Sequence, residues 1–131
     1  MRKPGWESLL AEYLQAGQDT PFEWGQHDCA LFAARWVLLS TGFDHFSEWK
    51  GEYASEKGAA RLMRERGFRS VADIADAHLI ETPVPLAGRG DLVLDPNGCL
   101  GICNGLRSHF AGIDGMIVTP TRLCVRAWKV G

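Results

Sequence analysis

The run "DCALFAARWVLLSTG", residues 28 to 42, constrains the fold more than any other part of the chain. From Asp28 to about Thr41 it is apolar nearly all round, and a helix of that kind has to be covered on most sides by other elements. Asp28 is of the type that caps helix starts, and Gly42 suits the left-handed position just past a helix end. The segment therefore predicts a central buried helix around which the rest of the chain builds layers. At 131 residues the chain reads as one domain, residues 1–131, large enough to bury about two thirds of its unfolded surface in a single core.

Residues 5 to 16 place Trp6, Leu9, Leu10, Tyr13 and Leu14 at helical spacing, an amphipathic first helix that the Gly17 to Pro21 stretch breaks. Ser55 and Glu56 open a helix over "EKGAARLMRERG" that Gly67 stops, and "SVADIADAHL" is a shorter helical segment. After "ETPVPLAGRG" the pattern turns to short β-like runs, "DLVL", "CLGICNG", "GMIVTP" and "CVRAWKV", separated by Asn-Gly and Asp-Gly turn pairs. Helices first and strands last point to an α+β domain, with N-terminal helices packed on a C-terminal antiparallel sheet. Trp49, in the aromatic loop "FDHFSEWKGEY", reads as packed under that loop.

Charge narrows the function. Fourteen basic against sixteen acidic residues leave a net charge near −2, without the positive field that phosphate backbones require, so nucleic acid is not the expected partner. No run of about 18 apolar residues is long enough to cross a bilayer, and polar residues interrupt the basic N-terminus before any signal core forms. The chain is expected to be made in the cytosol without an export signal of its own. Its four cysteines, Cys29, Cys99, Cys103 and Cys124, sit in apolar runs and read as reduced thiols.

Cys29 carries two readings from position alone. In the first turn of a helix, unpaired N–H groups and the dipole stabilise a thiolate and can receive the oxyanion formed when it attacks an amide. Equally, a cysteine beside Ala30 and Leu31 is an ordinary small core residue. Cys99 and Cys103, four apart, share a strand face and with Cys29 or Cys124 resemble a soft-metal set. Zinc sites favour tighter spacings in turns, so the expectation is no metal and no cofactor.

"PFEWGQHDCALFAARWV", followed by "GRGDLVL" and "LGICNG", resembles the NlpC-type cysteine peptidases of bacterial cell walls, a circularly permuted branch of the papain-like fold. Phe22, Trp24, Gly25, Asp28 and Cys29 match the motif before the thiol, and Gly90, Asp91, Leu92 and Val93 match the one that opens the sheet. The likeness is closer to small proteins of this fold from phage, prophage and gene-transfer-agent tail clusters, with Trp24 to Cys29 at the core and Ala127 to Val130 at the end. It implies Cys29 as nucleophile, peptidoglycan stem peptides as substrate, tail-hub or tail-tip proteins as partners, and incorporation in a tail. Where the family pattern has its catalytic histidine, this chain has Cys99. His109 lies about where the family places a third polar residue, and His27, two residues before the thiol, reaches it if the turn folds back. Those two are the candidate bases, while His45 and His78 are given no role. The alternative is a protein that keeps the fold without hydrolysis, as a structural tail-tip or tail-assembly component.

Overall fold

A computed structural model describes residues 1–131, an α+β fold of four helices and a six-stranded antiparallel sheet. Helix α2 (Cys29–Thr41) begins at the expected place. Asp28 is extended and accepts Leu31 N–H at 2.9 Å, and Gly42 closes the helix at φ +84°. Helix α1 (Trp6–Gln18) precedes it, and α3 (Glu56–Glu65) and α4 (Val71–His78) follow, capped by Ser55 and Ser70. The first helix runs through Gly17 instead of stopping there. A Cβ on Gly17 would lie 2.7 Å from the Met116 methyl and 3.2 Å from Phe32, so the glycine is where α1 closes on its neighbours.

The strands are β1 (Ile80–Thr82), β2 (Leu92–Leu94), β3 (Leu100–Cys103), β4 (Arg107–Gly112), β5 (Gly115–Pro120) and β6 (Arg126–Lys129), in the order β1-β6-β2-β3-β4-β5. Val93 pairs with Gly101 on one side and Ala127 on the other, which puts the Gly-Asp-Leu-Val strand in the middle of the sheet. β1 falls in the stretch that reads as a connector, and it forms by pairing Glu81 with Trp128 of β6.

Most of the core lies between α1, α2 and one sheet face, where Leu10, Phe32, Trp36, Ile102 and Trp128 are essentially inaccessible. Trp36 Nε1 donates to Gly90 O at 2.8 Å and ties α2 to the strand entry. Cys103 and Cys124 pack with Val93, Phe110 and Ala127 in a separate cluster. A third cluster, Leu31, Phe46 and Trp49, places the Trp49 ring under its loop as the composition of that loop implies. No helix is long and apolar enough to cross a membrane.

Asp91 ties the chain ends to this frame. Its buried carboxylate accepts from Arg2 at 2.7 Å, Val130 N–H at 3.0 Å, Gly88 N–H at 2.8 Å and Lys129 at 3.1 Å. Four donors, two of them cationic, satisfy the carboxylate oxygens and offset the cost of burying them. In the Gly-Asp-Leu-Val motif, the aspartate is therefore a fastening.

Candidate functional site

The site grows from the start of α2. Asp28 is 1% exposed, and one oxygen takes Leu31 N–H while the other takes Gly25 N–H at 3.0 Å and the Tyr53 hydroxyl. Gly25 sits at φ +81°, and a Cβ there would fall 1.9 Å from the Tyr53 carbonyl oxygen, so only glycine lets the loop before α3 lie on the helix start. Gly51 N–H donates to Gly25 O at 2.7 Å and holds the same loop. The Trp-Gly pair of the motif is thus a seat for Tyr53, and Tyr53 braces the capping carboxylate.

Cys29 follows in the first turn, partly buried. Its thiol contacts the Cys99 thiol and receives the backbone N–H of Leu100. Cys99 is presented by the β2–β3 turn, where its own N–H donates to Asp95 Oδ1 at 2.9 Å. Cys29 donates its proton toward Cys99, which pushes the Cys29 thiol up, and burial and Asp28 push the same way. Accepting that bond draws Cys99 down against burial and the charges of Asp95 and Glu56. The helix-end position alone leads one to expect a lowered Cys29; contact with a second thiol reverses it and makes Cys99 the readier thiolate.

Both thiols line a cavity of about 310 Å³ between the start of α2, the β2–β3 turn, α3, α4 and the 42–55 loop. Its walls are mainly apolar, with Trp24, Trp49, Met63, Val71 and Ile74 among them, and its polar groups include Glu56, Asn97, His45 and His78. The two histidines stack with ring centroids 4.1 Å apart and planes 22° from parallel. Burial, then the neighbouring His78, lowers the pKa of His45. Such size and lining suit a small, largely apolar group.

Neither candidate base lines this cavity, and neither is among the groups bearing on the Cys29 thiol. His27 closes a tight turn with Glu23, donating N–H to Glu23 O at 2.8 Å, and its ring stands edge-on to Phe32 at 5.8 Å. Burial lowers its pKa despite the adjacent Asp28. His109 lies on β4 opposite Ile102 and Val118, its Nδ1 buried without a hydrogen-bond partner, and burial lowers it too. Cys103 and Cys124 are buried apart from Cys29, and no three of the chain's His, Cys, Asp or Glu residues are placed to hold a metal ion.

Of the residues lining this cavity, Cys29 and Asp28 stand out in the sequence, whereas Tyr53, His45 and His78 do not. Tyr53 stands 25 residues from its partner in a loop without periodicity, and no local signal marks it. Cys99 was visible as a departure from a pattern, but its contact with Cys29 was not.

Compared with known proteins, residues 1–130 match the family described as Domain of unknown function (DUF6950), and the chain belongs to that family. No curated protein and no solved structure matches it.

Proposed function

We propose that this DUF6950 member is a phage or prophage tail component built on an NlpC-type, papain-like scaffold whose catalytic dyad has become a pair of thiols. On this reading it serves at the tail tip or in tail assembly by binding a hub protein, and peptidoglycan hydrolysis is not its working activity. One observation carries the proposal: the group in contact with the Cys29 thiol is Cys99, the residue that stands where the resemblance expects the base. Cleaving an amide requires a proton for the departing amine, and imidazole supplies it because it titrates near neutrality. Here Cys29 holds its proton more tightly than a free thiol, and neither candidate imidazole lines the cavity.

A second reading, a peptidoglycan stem-peptide hydrolase with Cys29 as nucleophile, draws on the thiol's place in the first turn of α2 within an accessible cavity. Dye release from labelled peptidoglycan separates the two. The structural reading expects no release by the folded protein, and complementation of a tail-defective gene deletion by Cys29→Ala. Release that Cys29→Ala abolishes would establish the hydrolase.

A further inference from the structure

We propose that Cys29 and Cys99 form a thiol–disulfide exchange site that takes neutral or cationic small-molecule disulfides. The proposal does not depend on the tail reading, since it rests only on the thiol pair and its surroundings. Of the four cysteines, these two are half-buried and line the cavity, whereas Cys103 and Cys124 are buried and do not line it, although Cys99 also packs against their cluster. The two thiols touch while remaining reduced, one on a helix start and the other on a strand entry, each held by a backbone bond: Leu100 N–H to Cys29, and Cys99 N–H to Asp95. A thiolate with a second thiol against it has both parts that exchange needs, an attacking sulfur and a resolving one.

The reaction balances without another co-reactant. Cys99 sulfur attacks one sulfur of the incoming disulfide, the S–S bond breaks, and the departing thiolate takes the proton that Cys29 releases. Cys29 sulfur then attacks Cys99 sulfur, the mixed S–S bond breaks, and the second half leaves as a thiolate that solvent protonates. Two electrons pass from the protein to the substrate; the chain ends with a Cys29–Cys99 disulfide and the substrate as two thiols. The order follows from the hydrogen bond between the two thiols, which draws Cys99 toward the thiolate and Cys29 away from it.

Substrate class follows from charge and lining. Asp95 and Glu56 both act on Cys99 as negative neighbours, so an anionic disulfide meets repulsion at the attacking sulfur. The apolar wall beside it accepts an uncharged arm, and the cavity gives the first leaving group room.

The test incubates the full chain near neutral pH with cystamine, 2-hydroxyethyl disulfide or oxidised glutathione, followed by intact mass, thiol titration and peptide mapping. Wild type is expected to lose two of its four thiols, gain no adduct mass and map a Cys29–Cys99 link. Cystamine should react about tenfold or more faster than oxidised glutathione at low salt, a gap that narrows as salt screens the acidic pair. Cys29→Ser should stop at a single adduct on Cys99, and Cys99→Ser should react slowly, both with unchanged circular dichroism. No reaction, stable separate adducts on both residues, first attack by Cys29, or a link mapped elsewhere would each overturn the proposal.

Discussion

Asp28 shows how much one side chain can organise. Its two oxygens serve three donors from three segments: the helix it caps, the Trp-Gly turn before it and the loop that carries Tyr53. Removing the carboxylate deletes a cap and leaves buried donors unpaired, whereas removing only the tyrosine hydroxyl leaves the cap and one other bond in place. Asp28→Ala is therefore expected to cost about 3 kcal/mol and Tyr53→Phe about 1 kcal/mol. Urea denaturation midpoints with constant m-values would show the ordering, and equal costs would contradict it. The capping role was legible because a short acidic residue immediately precedes an apolar helical run. The brace was not, because nothing in a loop rich in aromatics says which ring turns toward a helix start.

At the scale of elements, the helices were legible to within a residue or two because their signals are local. Asp28, Ser55 and Ser70 all cap, and Gly42 takes the left-handed backbone that ends α2. Gly17 was misread for an instructive reason. Glycine usually weakens a helix, yet here its missing side chain admits the Met116 methyl and the Phe32 ring. Two effects compete at that position. Gly17→Ala gains about 1 kcal/mol of helix propensity and meets chiefly the movable end of a methionine, so its net effect is expected near zero. Gly17→Val adds bulk against the Phe32 ring and is expected to cost about 1–3 kcal/mol. Thermal melts of the two variants test this, and a stabilised valine variant would show that α1 is not closely packed there. β1 escaped the reading for the opposite reason: Ile80 and Glu81 are exposed, so no burial pattern marks the strand, and its partner β6 lies at the far end of the sequence.

For the molecule as a whole, partly buried imidazoles set the response to acid. His27, His45 and His109 all have burial as the largest cause of a lowered pKa, so each is harder to charge folded than unfolded. Below about pH 6.5, the ordinary histidine value, the unfolded chain takes up protons that the folded chain resists, so stability falls as pH drops through that value. The loss levels off only where the folded chain's histidines charge as well. Urea midpoints are expected to be lower at about pH 5.5 than at about pH 7.5, and His109→Gln should reduce the difference. A midpoint that holds or rises on acidification would contradict this. The distribution of charge and the absence of a long apolar run bounded these global properties early. The cavity was out of reach, since five segments spread over 77 residues, from Trp24 to Leu100, enclose it.

The carboxylate of Asp91 has one more consequence. By gripping Arg2, Lys129 and the Val130 amide it makes the first and last residues neighbours, and a Cβ on Gly131 would lie 3.4 Å from the Met1 carbonyl carbon. The polypeptide is therefore nearly a closed ring. Two cargoes fused to the opposite termini would emerge side by side at one spot on the surface. Splicing those termini and reopening the ring at an exposed bend such as Gly67 would preserve the packed interior while changing only where the thread starts.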